Sequence, residues 1–242
     1  MNRATRSTLI HIFFCVLVLS GVAAFTTAHG APRAQTKSPS AAGAVMVPDK
    51  GKFRIEMNGQ TLGTEDFEIS LSEGKWVVRG ATEAHTPGGG DMKTTGELHL
   101  NADGTPVHYA WSTDAPKKIS GTVDFDSGTA KTFTDFGGAH PYPEDFKFAS
   151  PRVIVLDNNL YEQYAVLARL YDWGAGGEQS FPVLIPQDIT PGSIKVIADG
   201  AVGGLSILVV KSADLEIHLF CDASHKLVRL EVPASKVVVE RE

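Results

Sequence analysis

Phe67-Glu68-Ile69-Ser70-Leu71-Ser72-Glu73-Gly74-Lys75-Trp76-Val77-Val78 decides the fold class of this chain. Phe67, Ile69 and Leu71 alternate with Glu68 and Ser70, the period of a strand buried on one side. Ser72-Glu73-Gly74-Lys75 is a return loop, and it sets Trp76 and Val78 opposite Leu71 and Ile69. An antiparallel hairpin with one apolar face follows.

The same alternation continues on both sides of this hairpin. Upstream, Phe53, Ile55 and Met57 share a face, with Arg54 and Glu56 opposite. Joining that strand to the next across a two-residue Asn58-Gly59 turn puts Leu62 inward but Phe67 outward. Either the turn holds one more residue or a bulge lies near Gly63. Downstream, Met92, Leu98 and Leu100 alternate with Lys93, Glu97 and His99, and after residues 101–106 come Val107, Tyr109 and Trp111. Pairing Leu100 with Val107 keeps the large residues on one side. Ile119, Val123 and Phe125 give a further strand, so the first half reads as a meander.

The pattern changes at Pro151. Val153 to Leu156 is a short apolar run, and Asn159 with Glu162 three residues on resembles a capping box opening a helix over 160–173. Leu160, Tyr164, Leu167, Ala168 and Tyr171 form its apolar side, with Glu162, Gln163, Arg169 and Asp172 on the remainder. The helix is expected on the apolar sheet face, ended by Gly174, Gly176 and Gly177. Strands resume at 181–185, 194–198 and 205–210. The last hairpin sets Leu215, Ile217, Leu219 and Cys221 against Val228, Leu230 and Val232. The fold class is mainly β: an antiparallel curved sheet or incomplete barrel with one helix on its apolar face.

At the amino terminus, Arg3 and Arg6 precede an apolar run from Leu9 to Phe25, followed by small residues at Ala23, Ala24, Ala28 and Gly30. That order is a secretory signal peptide, with cleavage expected after Ala24, Ala28 or Gly30. The run is broken by His11 and Ser20 and lacks a second charged flank, so no stable transmembrane span is expected after cleavage. Cys15 follows Phe13 and Phe14 where a lipoprotein signal needs small residues, which argues against lipidation. The chain divides into a signal peptide over 1–30, a flexible linker over 31–48 rich in Ala, Pro, Ser, Gln and Lys, and a single β-rich domain over 49–242. The expected location is periplasmic or secreted.

Of 242 residues two are cysteines, Cys15 and Cys221. With the signal removed, Cys221 has no partner for an intramolecular disulfide, and it falls on the core side, where a free thiol packs as a small hydrophobe. The formal charge of −6 and the absence of a basic cluster larger than Lys117-Lys118 argue against nucleic acid as a partner.

Gly51-Lys52-Phe53-Arg54-Ile55, Asn58-Gly59-Gln60-Thr61-Leu62-Gly63, the single helix followed by Gly, and the hairpin ending Leu227-Val228-Arg229-Leu230-Glu231-Val232-Pro233 together resemble exported bacterial β-rich domains of unknown function. Those are similar in outline to the periplasmic carriers that move lipoproteins to the outer membrane, incomplete β-barrels whose concave apolar side is covered by helix. This chain departs from the carriers in having one helix rather than several.

No catalytic motif is recognisable. Gly204-Leu205-Ser206-Ile207-Leu208 lacks the second Gly of a nucleophile elbow, and no zinc, phosphate-loop or dinucleotide signature occurs. No cofactor is therefore expected. Glu97, His99 and His108 are one polar constellation: cross-strand pairing places the two imidazoles about 5 Å apart at Cβ on the solvent face. Such a set reads as a solvated outer face, or as ligands for a divalent metal. A second constellation is aromatic. Trp76, Tyr109, Trp111, Tyr164 and Tyr171 face one another between sheet and helix, where they line an apolar ligand cavity or fill a dry core. The expected function is non-enzymatic binding of a lipid or other hydrophobic small molecule. The alternatives are a structural or interaction module that contacts an envelope protein, and a hydrolase using Asp135, His140, Glu144 and Asp145.

Overall fold

Tight turns set the sheet from the sequence upward. Asn58-Gly59, Glu73-Gly74 and Ser127-Gly128 each join two strands with both residues at positive φ, a conformation whose twist matches that of a hairpin and which Gly adopts without steric penalty. The computed structural model describes residues 46–85, 90–138, 142–212 and 215–242. The signal-peptide reading, residues 31–45 of the linker, and His140 lie outside these.

Eight strands make the first meander: β1 (Asp49–Met57), β2 (Gln60–Ser72), β3 (Lys75–His85), β4 (Asp91–Leu100), β5 (Pro106–Asp114), β6 (Ile119–Asp126), β7 (Thr129–Asp135) and β8 (Tyr142–Lys147). Then come β9 (Ile154–Val155) and α1 (Glu162–Leu170). The second meander is β10 (Glu178–Ile185), β11 (Thr190–Val202), β12 (Leu205–Lys211), β13 (Glu216–Cys221), β14 (Leu227–Val232) and β15 (Val237–Arg241). All join one curved, unclosed sheet in the order β8-β7-β6-β5-β4-β3-β2-β1-β15-β14-β13-β12-β11-β10-β9. Pairing is antiparallel except where β9 runs parallel to β10.

The two meanders meet where β15 pairs with β1 on one side and β14 on the other. Asp49, at the start of β1, receives two hydrogen bonds from Arg241 of β15 at 2.7 and 3.1 Å. Burial opposes ionisation of Asp49, but Arg241 outweighs it and holds the carboxyl below its usual range. The seam is thus closed by an ion pair as well as by a ladder.

Hairpin register follows the alternation except at four places, one of them between Ala198 and Ala201 of β11. Ile55 pairs with Gly63 and Glu56 with Thr61, so Leu62 is the extra residue of a bulge beside Gly63. That bulge turns Phe67 and Ile69 inward. His99 pairs with His108, but Leu100 pairs with Pro106 rather than with Val107, which is the bulged residue. Likewise Leu227, not Val228, lies opposite Cys221 and is fully buried. In both cases the insertion hands the inner position to a neighbour. Leu71 pairs with Trp76 as the alternation predicts, yet it is 57% exposed near the hairpin end, past the covered part of the sheet.

The apolar inner face forms one core that includes Met46, Phe53, Phe67, Val78, Leu98, Tyr109, Leu208, Leu219 and Leu230. Cys221 belongs to it, and burial pushes its thiol up to about 12, which keeps it protonated. Helix α1 lies inside the concavity, against β3 on one side and β13 and β14 on the other. Of its nine residues only Tyr164 and Arg169 are not buried. The expected polar side is therefore absent from its first turn: Glu162 is 1% exposed and Gln163 is fully buried. Because the sheet wraps round the helix, a one-sided apolar stripe was the wrong pattern. The helix is also shorter at both ends than 160–173.

Candidate functional site

The first turn of α1 is where polar chemistry enters the core. Asn159 is left-handed, at φ 66°, and supplies no side-chain cap. The capping role falls to Glu65 of β2, which follows the inward alternation of Phe67 and Ile69. Its carboxylate accepts from the backbone N–H of Tyr161 at 2.7 Å and of Glu162 at 2.8 Å. Thr82 of β3 donates its hydroxyl to Glu65 at 3.0 Å and is also 2.6 Å from the Asn159 carbonyl. An acid brought from a remote strand thus satisfies the free N–H groups and the positive end of the helix dipole.

Glu162 adds a second carboxyl within hydrogen-bonding reach of the first. Two carboxyls make that contact only when one carries a proton. Burial pushes both upward, Glu65 to about 7, and Glu162 well above the carboxylate range because the Glu65 charge adds to its burial. Glu162 Oε2 is buried and has no hydrogen-bond partner, so its charge is not compensated there. The approach requires bare backbone. A Cβ on Gly80 would lie 2.5 Å from the Glu162 carboxyl carbon, and one on Gly96 would lie 2.6 Å from Leu160 Cδ1.

Beside this pair, Tyr109 of β5 donates its hydroxyl to Asp157 at 2.5 Å, and Gln163 of α1 donates to the Tyr109 oxygen at 3.1 Å while accepting from the Asp157 backbone N–H. Burial pushes Asp157 up to about 7, although the Tyr109 hydrogen bond pulls the other way. The folded protein therefore holds this proton to a higher pH than the unfolded chain does. Stability is full below the ordinary carboxylate range and falls as pH rises through about 7, by a few kcal/mol. Urea unfolding at a series of pH values is expected to show that decline, flattened in Asp157→Asn. A midpoint independent of pH in both proteins would contradict it.

Trp76, Tyr109, Trp111 and Tyr171 are all buried in the single core, and Tyr164 packs against it. Tyr171 donates its hydroxyl to the Gly177 carbonyl and meets Trp173 edge to face, 5.2 Å between ring centres. The aromatics thus surround α1 and its C-terminal turn. Glu65, Thr82 and Asp157 escaped the sequence reading, and Glu162 and Gln163, which it set on the polar side of the helix, are buried. The available signal was Glu65 itself, an acid in the same inward row as Phe67 and Ile69.

On the outer face, His99 and His108 stand opposite each other, ring centres 6.2 Å apart. Each imidazole contacts its own carboxylate, His99 with Glu97 at 2.6 Å and His108 with Asp124 at 2.7 Å. Among the described residues no group of three or more His, Cys, Asp or Glu side chains is arranged to hold a metal ion. A groove of about 660 Å³ crosses this face over Gly51, Gly80 and Gly96, rimmed by Lys50, Glu68, Arg79 and Glu97. Another, of about 710 Å³, lies by Leu62, Glu83, His85 and Lys93. Neither is lined by Glu65, Asp157 or Glu162. Of the hydrolase candidates, Asp135 accepts from the Gly137 N–H at 2.7 Å, while Glu144 and Asp145 lie on edge strand β8. No helix among the described residues is long and apolar enough to cross a membrane.

No protein-family model and no curated protein matches the chain. Among solved structures it is similar to a β-barrel-like protein of the domain of unknown function DUF1849 from Brucella abortus. The TM-score is 0.54 at 10% identity, over 81% of this chain and 95% of that one. It is also similar to a DUF1089 family protein from Pseudomonas aeruginosa, with a TM-score of 0.46 at 10% identity, over 82% and 97% of the two chains. The first likeness places the chain among β-barrel-like folds, with an unclosed sheet.

Proposed function

We propose that this chain is an exported, non-enzymatic binding protein for an apolar or amphipathic ligand, a lipid or acyl group, in the cell envelope. The reading rests on the seat of α1. A lone helix inside an unclosed barrel takes up the volume that an acyl chain would fill against Trp76, Tyr109 and Trp111, with Tyr164 and Tyr171 on the helical side. It is docked through carboxyls whose burial disfavours their charge, so its withdrawal returns them to water. The basic, apolar and small-residue order of residues 1–30 supports export to the periplasm or the medium.

A second reading, a module that contacts an envelope protein through its surface, is favoured by Phe133 at 48% and Tyr142 at 53% exposure beside the free edge of β8. Native mass spectrometry with a long-chain fatty acid, paired with tryptophan fluorescence, separates the two. The carrier reading expects a one-to-one adduct and a saturable fluorescence change. No adduct, together with a stable envelope protein partner lost in Phe133→Ser/Tyr142→Ser, would replace it with the surface reading.

A further inference from the structure

We propose that Glu65 and Glu162 form a proton-bearing latch that holds the first turn of α1 in the sheet, and that loss of the shared proton frees this helix ahead of the strands. The inference stands whether or not the uncovered face takes a ligand.

Geometry carries it. Glu65 is the side-chain cap of α1 and bridges the helix to β3 through Thr82. Glu162 presses its carboxyl against the same group, in a space that the missing side chain of Gly80 leaves open. With one proton between them, the pair carries a single negative charge that faces the N–H groups of the helix start. Without it, two carboxylates share one dry site, and like charges there repel strongly.

Among the described residues, no Lys or Arg side chain makes a hydrogen bond or ion pair with either carboxyl. The titratable groups that act on the pair are Tyr109 from β5 and Asp157 and Tyr161 from the segment before the helix, with Tyr164 of α1 acting on Tyr161 and Asp188 on Asp157. All are acids. Burial pushes Glu65 up to about 7, and burial together with the Glu65 charge pushes Glu162 well above the carboxylate range. Elsewhere α1 is held by apolar contacts, by Arg169, which donates to the Ser224 carbonyl, and by Gln163, which joins it to Tyr109 and Asp157.

Amide hydrogen exchange of the purified protein between about pH 6 and pH 9, corrected for intrinsic exchange, tests this. Opening of amides 161–170 is expected to rise at least about tenfold relative to amides of β13 and β14 in the same molecule. Glu162→Gln keeps a neutral donor beside Glu65 and is expected to reduce that rise to less than about twofold. Glu65→Gln is expected to weaken α1 protection at both pH values. The latch is overturned if α1 and the two reference strands lose protection in step, or if Glu162→Gln responds to pH as the wild type does. Should Glu162→Gln fail to fold, Asp157→Asn removes the other acid linked to α1: a pH-dependent rise kept in that variant supports the latch, and a rise lost in it overturns the latch.

Discussion

Glu65→Ala is expected to destabilise the protein by about 3–5 kcal/mol and to lower its melting temperature by roughly 6–20 °C. The substitution removes the only acceptor that the structure gives to the N–H groups of Tyr161 and Glu162, and one of two for the Thr82 hydroxyl. Each buried donor left unmet costs about 1–3 kcal/mol. Removing a desolvated acid offsets part of that sum, which is why the expected total stays below the upper end of two full penalties. The first turn of α1 also loses the charge that faced its dipole. Urea unfolding at pH 6 measures the difference, and a change under about 1 kcal/mol would mean that water or another group takes over the cap.

Deletion of residues 237–242 has the largest expected effect: the remaining chain does not fold. Strand β15 makes five register pairs with β1 and four with β14, and without it no ladder joins the two meanders. The buried side chains of Val237 and Val239 go with it, at about 1.5–3 kcal/mol each. Adding a net ~0.5–1.5 kcal/mol for each lost ladder bond brings the total to the order of a domain's whole stability, about 5–15 kcal/mol. Losing Arg241 further leaves Asp49 buried without its strongest partner. Circular dichroism and amide proton dispersion report the outcome. A cooperative unfolding transition in the truncated chain would show that the first meander and α1 suffice.

The sequence showed the strands more plainly than the way they are assembled. Phe67 to Val78 reads correctly because its turn and its alternation are both local, and Cys221 reads correctly because it continues the row of Ile217 and Leu219. Val237-Val238-Val239 lies past the hairpin that the alternation reads as the last, and its partner β1 is some 180 residues earlier, so no local signal names the pairing. β7 was hidden for a related reason: its inner face carries Ala130, Thr132 and Thr134 rather than large apolar residues, and the inner row of β8 is short, Glu144 and Phe146. Four register shifts interrupt the ladders, and alternation alone cannot place them.

The acid cluster shows the same limit at the level of chemistry. Asn159 and Glu162 have the spacing of a capping box, and that local signal was overridden by Glu65, a residue 97 positions away from Glu162. Helical spacing then assigned Glu162 and Gln163 to solvent, a rule that holds for a helix covered on one side only. Here the sheet curls round both sides. Glu65 could have been singled out as an acid in an inward row, but its partner could not.

The most direct measurement is a crystal structure of the protein grown with saturating long-chain fatty acid. The account predicts an acyl chain against Trp76, Tyr109 and Trp111, with the first turn of α1 withdrawn from Glu65. A fatty acid seated in the outer groove over Gly80 and Gly96, with α1 still capped by Glu65, would contradict it.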